Sequence, residues 1–421
     1  MKTVRRGTAM DVGDLPMVDV ICARADLARM AKGLWEGLSA RIAAAAKPLL
    51  TFIDVFAGIG GFHTALKMLG LECVFACEKE PRCRATYLLN HGILPAGDIY
   101  RVPAEQVPSH DIGLYGIPCQ AWSQSGSQGG TDDPRGVLHL EMLRLVGHHR
   151  PKVVLAENVR GFLSLHEGPA FQEIVRALEG WGYVVHHEVL NASGYGVPQN
   201  RQRLYIVAIR RDAMVQPFHF PKPKEHNIEL ASVLEPPNLT YKSATTIREY
   251  RRVPSNKVRW DRIGKGLIKL GDVNDNTQGD RIYSPRGYSV TLTASTGGWG
   301  AGMGLYLVDG VIRRLTPREA ARCMGFPESF RFLCAPRVAG SQLGNAVVVN
   351  VVEAIAREVF RAVGQALPQR EDAPFDSAST PPKAHLPDLR LKNVPRRSKG
   401  NGNSATGRNI GNSLNPNADN P

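Results

Sequence analysis

The sequence predicts an α/β fold in which helices cover both faces of a mostly parallel sheet and a smaller, irregular domain is attached. From Leu50 to about Arg210, short apolar runs alternate with helical segments, as in parallel sheets. Residues 211 to about 310 break that rhythm, being rich in Pro, Gly, Thr and charge with no helical stripe. Residues 313 to about 363 then return to helix–loop–helix character.

The elements follow from hydrophobic runs and their spacing. The predicted strands are Leu50–Val55, Glu72–Cys77, Ile112–Tyr115, Val153–Ala156, Val184–Val189 and Leu204–Ile209. The predicted helices between them are Phe62–Leu69, Arg82–Asn90, Val137–His148 and Ala170–Gly180. Later in the chain, Thr316 precedes Pro317 and Glu319, which predicts a helix start with an N-cap, a proline at the first position and an acid at N3.

Two terminal regions differ from this body. Residues 1–48 form a basic extension in which five apolar residues recur at helical spacing, which predicts one amphipathic helix: Leu27, Met30, Leu34, Leu38 and Ile42. We expect this helix to pack on the main body rather than to act alone. Residues 365–421, rich in Pro, Asn, Ser, Gly and Arg, are expected to be a disordered basic tail.

The charge predicts a polyanionic partner, most simply nucleic acid, although general solubility is the alternative. The formal net charge is +13 and the pI is about 9.5. Lys242–Lys269 holds nine basic and two acidic residues, a local net of +7, with aromatic residues interleaved. Such a one-sided run in a separate insert is a reasonable footprint for phosphates.

Other features argue against a membrane, a disulfide framework and a metal site. No apolar run approaches a membrane span, and no signal peptide is evident. The seven cysteines are odd in number and scattered, which indicates a reducing cytoplasm. Cys73, Cys77 and Cys83 fit no zinc spacing, so core packing is favoured over a metal site.

Cys119 is the candidate nucleophile. It lies in Gly-Ile-Pro-Cys-Gln-Ala-Trp-Ser-Gln at 116–124, after a predicted buried strand and before a glycine-rich stretch. A cysteine held behind Pro118 at a strand end and facing a loop is well placed for attack. A lone cysteine is more often a small buried hydrophobe, so its neighbours must decide.

A glycine turn predicts a cofactor site. Phe56-Ala57-Gly58-Ile59-Gly60-Gly61 follows the first strand and opens a helix, where backbone can approach a ligand closely. Glu78 ends the second strand at the position of an acid that binds ribose hydroxyls, and Asp98 follows the next helix. Because the dinucleotide spacing is absent, S-adenosylmethionine fits better than a pyrophosphate cofactor.

Three further groups could complete a site. Glu157 follows the Val153–Ala156 strand and could converge with Cys119, since both end apolar runs of one sheet. Arg201 and Arg203 alternate before a strand and could clamp a phosphate or a base carbonyl, although a plain strand-edge pair is as probable a priori. Gly344-Asn345, taken to open the last helix, is a turn, a cap or a cofactor contact.

The order of these motifs resembles the DNA (cytosine-5)-methyltransferases of bacterial restriction–modification systems. The resemblance runs from about residue 51 to 360. It rests on FAGIGG at 56–61, Glu78, Gly97-Asp98, Pro118-Cys119-Gln120, Glu157-Asn158-Val159, the Gln-x-Arg-x-Arg run at 199–203, RRLTPRE at 313–319, Gly325-Phe326-Pro327 and Gly344-Asn345.

The resemblance implies a Rossmann-like, S-adenosylmethionine-dependent methyltransferase. Cys119 would add to C6 of a flipped cytosine, Glu157 would bind N3 and the exocyclic amine, and Arg203 with Arg201 would hold the O2 side. C5 would take the methyl group, and loss of the C5 proton would release Cys119. No metal is implied.

The resemblance also assigns binding residues. The implied cofactor contacts are Phe56, Gly58, Gly60, Glu78, Asp98, Ile99, Pro118 and Asn345, and the implied DNA contacts are Gln120, Ser123, Ser125, Thr291 and Leu292. It divides the chain into a catalytic domain (49–210), a target-recognition domain (211–312) and a C-terminal return to the catalytic domain (313–364). A monomer acting on duplex DNA in the bacterial cytoplasm and nucleoid, with a possible partner endonuclease, is expected.

Three positions depart from the family pattern: Lys79, Trp122 and Ala346 stand where an aromatic residue, phenylalanine and serine are usual. None removes a catalytic group. Two alternatives stay open, a tRNA cytosine-5 methyltransferase and a catalytically inactive DNA-binding regulator on the same scaffold. The basic insert and the absence of a Cys-Phe-Thr run argue against the first, and the intact set of catalytic residues argues against the second.

Overall fold

A six-stranded sheet forms the centre of the protein. The computed structural model describes residues 50–118, 137–164, 168–224, 228–236, 251–252, 266–273, 278–294 and 302–366. The six strands are β1 (Thr51–Val55), β2 (Glu72–Cys77), β3 (Ile112–Gly116), β4 (Val153–Asn158), β5 (Tyr183–Asn191) and β6 (Gln202–Arg210). Their order is β2-β1-β3-β4-β6-β5, and β1 to β4 are mutually parallel. All six predicted strands are confirmed.

The last strand reverses direction. β6 pairs antiparallel with both β4 and β5. The connection between β5 and β6 holds only the short turn Ala192–Tyr195, and a parallel crossover needs a dozen or more residues. The sheet is therefore mostly parallel, as predicted, with one antiparallel strand.

Helices pack on both faces of this sheet. The described residues include α1 (Gly61–Met68), α2 (Pro81–His91), α3 (His139–His149), α4 (Pro169–Gly180), α5 (Pro317–Cys323), α6 (Pro336–Asn345) and α7 (Val349–Ala362). Alternate residues of β1 point to opposite faces. Phe52 lies in the apolar cluster that includes α1 and α7, and Ile53 lies in the cluster that includes α3 and α4.

The insert contains a second, smaller sheet. Its strands are β7 (Arg251–Arg252), β8 (Lys269–Asp272), β9 (Arg281–Tyr283), β10 (Leu305–Val308) and β11 (Val311–Arg313), in the order β11-β10-β9-β8-β7. The insert is thus less irregular than predicted. Strands of two to four residues are too short to show alternation in a sequence.

The C-terminal part of the described chain returns to the first sheet, because α7 packs on α1. The predicted start of α5 is confirmed. The Thr316 side chain accepts a hydrogen bond from the Glu319 backbone N–H, and the Glu319 carboxylate accepts one from the Thr316 N–H. One boundary was wrong: Gly344-Asn345 ends α6 rather than opening the last helix, which begins at Val349.

Among the helices that the structure describes, the α6–α7 region contains the one candidate for a membrane span. Pro336–Ala362 spans 27 residues and contains an 18-residue window with a mean hydropathy of 1.3, enough by length and composition to cross a membrane. The expectation that no run approaches a span was therefore wrong on those two measures. However, 67% of that window is buried, and the helix is interrupted between Asn345 and Val349. These are the features of core helices.

Several predictions concern residues outside the described ranges. They are the amphipathic helix in 1–48, most of the basic run Lys242–Lys269 (of which the structure describes 251–252 and 266–269), the loop after Pro118 and the tail after residue 366.

Candidate active site

The sequence-predicted residues collect at one edge of the large sheet. The glycine turn follows β1, Glu78 follows β2, Pro118 follows β3 and Glu157 lies near the end of β4. Because these four strands are parallel, their carboxyl ends meet at this edge, where α/β folds place their ligands. Cys119, the residue after Pro118, lies outside the described ranges, as do Gln120, Ser123 and Ser125.

The turn after β1 has a strained backbone. Phe56 has φ +58°, a left-handed conformation that bulky residues rarely adopt. Gly60 has φ +85°, and a Cβ there would lie 2.2 Å from Nε2 of His91, so only glycine fits. Strain of this kind persists where the surrounding fold enforces it, often at ligand sites.

Glu78 is fixed beside this turn. Its Oε2 accepts a hydrogen bond from the Gly58 N–H (2.8 Å), and Oε1 accepts one from the Glu80 N–H (2.7 Å). Burial raises the pKa of Glu78, while these backbone hydrogen bonds act in the opposite direction. Space is open next to Gly58 and Gly97, since a Cβ at either would meet nothing within 4 Å. Each carboxylate oxygen keeps acceptor capacity, so the site fits the ribose hydroxyls of a nucleoside cofactor.

Asp98 is held by Lys79, a pair that the sequence did not reveal. Lys79 Nζ lies 2.9 Å from Asp98 Oδ2, and the Tyr100 N–H donates to Asp98 Oδ1 at 3.3 Å. The hydrogen bond from Lys79 lowers the pKa of Asp98. Because the lysine is exposed, the pair is weak and can open for a ligand.

The remaining predicted cofactor residues differ in accessibility. Ile99 is 4% exposed and packs in the apolar cluster, Pro118 is half-buried, and Asn345 is exposed at the end of α6. Their contacts with a cofactor stay predictions.

Glu157 and Arg203 form a buried ion pair. Glu157 lies within β4, because this strand extends two residues beyond its predicted end at Ala156. Glu157 pairs opposite Gly116 of β3 and Tyr205 of β6. Arg203 is two residues before Tyr205 and so faces the same side of the sheet, and its Nε lies 3.1 Å from Glu157 Oε1. The side chains are only 9% and 13% exposed. Burial raises the pKa of Glu157, and Arg203 and then Arg201 oppose this shift.

Arg201 has a different environment from Arg203. It is 2% exposed, and its Nη1 donates to the Leu292 carbonyl at 2.6 Å. Its Nη2 donates to the carbonyls of Gly344 (3.0 Å) and Ala346 (2.9 Å). The alternate spacing of the two arginines predicted a joint clamp on a phosphate or a base carbonyl, and in the structure the Arg201 guanidinium donates to protein backbone.

The two described DNA candidates from the insert also differ. Thr291 is half-buried, and its hydroxyl donates to the Asn200 carbonyl at 2.6 Å. Leu292 is 1% exposed and belongs to the main apolar core. The DNA contacts of Thr291 and Leu292 stay predictions.

Gln199 is a site-supporting residue that sequence reasoning left without a role. Its Oε1 accepts from the Leu292 N–H at 3.1 Å, and its Nε2 donates to the Cys323 carbonyl at 2.8 Å. The only sequence signal was its place at the head of the Gln-x-Arg-x-Arg run.

Three buried polar side chains, His63, Tyr87 and His91, form a cluster next to the glycine turn. The rings of His63 and His91 stack with centroids 4.0 Å apart, and His63 Nδ1 lies 2.7 Å from the Tyr87 hydroxyl. His91 Nε2 lies 3.3 Å from the Ile59 carbonyl, within the turn. Burial lowers the pKa of His63 to about 3 and that of His91 to about 4.

These histidines predict acid sensitivity. Between about pH 6.5 and 4 the unfolded chain binds protons at His63 and His91 that the folded chain does not, so stability falls as the pH falls. Replacing His91 with phenylalanine should flatten this dependence by about 1.4 kcal/mol per pH unit. Urea unfolding at several pH values measures the slope, with the exposed His187→Asn as control. An unchanged slope in His91→Phe would contradict the prediction.

Comparison with known families identifies the chain. Residues 50–361 match the family described as C-5 cytosine-specific DNA methylase. The chain belongs to this family. The predicted family and enzyme class, a DNA (cytosine-5)-methyltransferase, are thereby confirmed.

Relatives with high coverage are Type II methyltransferases. M.HhaI of Haemophilus parahaemolyticus is 40% identical over 310 residues, covering 74% of this chain and 94% of that protein. M.DsaV of Dactylococcopsis salina is 35% identical over 326 residues, covering 77% and 90%. M.HpaII of Haemophilus parainfluenzae is 32% identical over 335 residues, covering 75% and 90%.

Solved structures confirm the fold class. A putative DNA modification methyltransferase encoded within an E. coli prophage has a TM-score of 0.56 at 22% identity, covering 75% of this chain and 100% of that one. The S. pombe Dnmt2 methyltransferase has a TM-score of 0.54 at 23% identity, covering 74% and 98%.

Proposed function

We propose that the protein transfers a methyl group from S-adenosylmethionine to C5 of a flipped cytosine within a short, specific duplex sequence. The observation that carries this proposal is the buried Glu157–Arg203 pair, beside the strand that leads to Pro118 and Cys119. The fixed carboxylate of Glu78 and the glycine turn lie on the same edge of the sheet.

Cys119 supplies the nucleophile. Its thiolate adds to C6 of the cytosine, which makes C5 electron-rich. C5 then forms a bond to the methyl carbon, and the bond between that carbon and the donor sulfur breaks. Loss of the C5 proton to a base and departure of the thiolate from C6 restore the aromatic ring and leave 5-methylcytosine.

Glu157 and Arg203 stabilise the intermediate. A carboxyl group whose pKa burial has raised can carry a proton, donate it toward N3 as the thiolate adds to C6, and take it back when the thiolate leaves. Arg203 lies next to this carboxyl and can donate to O2 of the same ring. Both side chains are almost fully buried, so water competes little for these hydrogen bonds.

The cofactor residues fit S-adenosylmethionine, which supplies a methyl group activated by its positive sulfur. Glu78 is placed to accept from ribose hydroxyls, and Asp98 to accept from the adenine amine once Lys79 moves away. Asn345 at the end of α6 is the proposed contact from the far end of the chain.

DNA recognition is assigned to the insert, residues 211–312, whose positive charge suits a phosphate backbone. Because the target ring is unreachable inside a duplex, the base must rotate out of the stack. The Type II relatives favour a protective role beside a restriction endonuclease, with the enzyme acting as a monomer on DNA in the cytoplasm and nucleoid.

Methyl-acceptor assays test the proposal. The purified chain, with radiolabelled S-adenosylmethionine, should label plasmid DNA and leave bulk tRNA unlabelled. Bisulfite sequencing of DNA from expressing cells should then show one recurrent methylated sequence. Labelling of tRNA alone would establish the tRNA alternative, and DNA binding without any methyl transfer would establish the inactive regulator.

A further inference from the structure

We propose that Arg201 is a positioning residue that couples target engagement by the insert to binding of S-adenosylmethionine. The inference rests on the proposed function and concerns how its two ligands communicate. One buried guanidinium holds the Leu292 carbonyl in the insert and the carbonyls of Gly344 and Ala346, on either side of Asn345. Those carbonyls lie 91, 143 and 145 positions away in sequence.

Arg201, Leu292 and the end of α6 at Gly344–Ala346 meet at one place, which we call the junction. On the side of the insert, several hydrogen bonds fix this junction. The Leu292 carbonyl accepts from Arg201 and its N–H donates to Gln199, so both backbone polar groups are bound by one short segment. The same segment pairs with Ser289, whose carbonyl accepts from the Asn200 N–H at 2.9 Å. The Thr291 hydroxyl also donates to Asn200. Residues 289–292 therefore move with residues 199–201.

On the side of the cofactor, the end of α6, which carries Asn345, contacts the insert through backbone atoms. A Cβ on Gly344 would lie 2.2 Å from the carbonyl carbon of Thr293 and 2.4 Å from the Ala294 nitrogen. No side chain separates the end of α6 from this part of the insert. A shift of the insert toward α6 therefore displaces the turn that carries Asn345.

Arginine is chemically suited to this junction. Its planar guanidinium offers five N–H donors in a fixed arrangement, whereas a lysine ammonium is a point charge on a flexible stem. Arg201 also lies two residues before Arg203, so the strand that presents Arg203 to the base begins at the junction. A change at the base is transmitted to the turn at Asn345 through one short segment.

Coupling of this kind is reciprocal. If DNA tightens cofactor binding, the cofactor tightens DNA binding by the same factor, commonly about 5- to 150-fold. We measure the factor with S-adenosylhomocysteine, which cannot react, and a duplex carrying the sequence that bisulfite sequencing identifies. Titration calorimetry gives the Kd of S-adenosylhomocysteine for the full chain, with and without that duplex.

The test variant is Arg201→Lys, and the matched control is Arg210→Lys. Arg210 lies at the other end of β6 and also donates to a backbone carbonyl, that of Arg150. Arg201→Lys should bring the coupling factor to about 1, with each ligand alone binding within about three-fold of wild type. Arg210→Lys should keep the wild-type factor.

Two outcomes overturn the proposal. The first is a coupling factor of about 1 in the wild type. The second is an Arg201→Lys variant that binds both ligands more weakly but keeps the wild-type coupling factor, as a purely structural role requires. A wild-type chain that methylates no DNA instead refutes the proposed function, which separates the two failures.

If Arg201→Lys does not fold, hydrogen exchange on the wild-type chain decides the matter. Binding of S-adenosylhomocysteine without DNA should slow exchange of the backbone amides in residues 289–294. Unchanged exchange there, with slowing confined to the glycine turn and Glu78, would overturn the proposal.

Discussion

Replacing Cys119 with serine should lower methyl transfer to DNA by at least about three orders of magnitude. The proposed reaction needs a thiolate, and a serine hydroxyl is scarcely ionised near neutral pH. Steady-state transfer of labelled methyl to duplex DNA measures the loss. Affinity for S-adenosylhomocysteine should stay near wild type, because the substitution leaves Glu78 and the glycine turn unchanged.

The control for this prediction is Cys334→Ser, a half-buried thiol near Gln342 that has no role in the proposed reaction. It should keep wild-type transfer. A duplex carrying 5-fluorocytosine adds a direct test, since fluorine cannot leave C5 as the proton does and the adduct stays trapped. Wild type should form a covalent complex that survives denaturation, and Cys119→Ser should form none. An adduct mapped to another cysteine would refute the assignment.

The fold was predictable because its strands are continuous apolar runs. β3 and β4 are buried along nearly their whole length, so the sequence marks them clearly. The end of β4 was misplaced for a physical reason. β4 pairs with β3 on one side and β6 on the other, and these backbone hydrogen bonds extend the strand through Glu157 and Asn158 whatever their polarity.

The candidate site was predictable only where its residues lie next to strand ends. Glu78 and Glu157 each follow an apolar run, and parallel pairing brings both to one edge. The separate roles of Arg201 and Arg203 were not predictable, because both face the same side of the chain segment. Arg201 differs from Arg203 because it donates to the carbonyls of Leu292 and Gly344. These residues are distant in sequence, and only the tertiary fold brings them next to Arg201.

Exposure was the other quantity that local sequence could not supply. Leu292 follows Thr291 in a motif read as a DNA contact, yet it packs in the core while Thr291 is half-buried. The five short strands of the second sheet were also not predictable from local sequence. Pairing between distant short segments defines them, and local periodicity does not.

Replacing Glu157 with glutamine should lower kcat by about 100- to 10,000-fold with a smaller change in KM. The amide keeps the size of the carboxyl, but it cannot give a proton to N3. The matched control is Glu353→Gln, which alters another arginine-paired carboxylate, on α7. Single-turnover rates separate the chemical step from binding.

The pH profile distinguishes proton donation from simple positioning by Glu157. Burial raises the pKa of Glu157, so its protonated form persists to higher pH than for an exposed glutamate. If that form is required, the wild-type single-turnover rate should fall as the pH rises through the raised pKa. Glu157→Gln should lose that dependence, because nothing at position 157 then titrates. If Glu157→Gln is slow but keeps the wild-type pH dependence, that dependence belongs to another group, and Glu157 has only an orienting role.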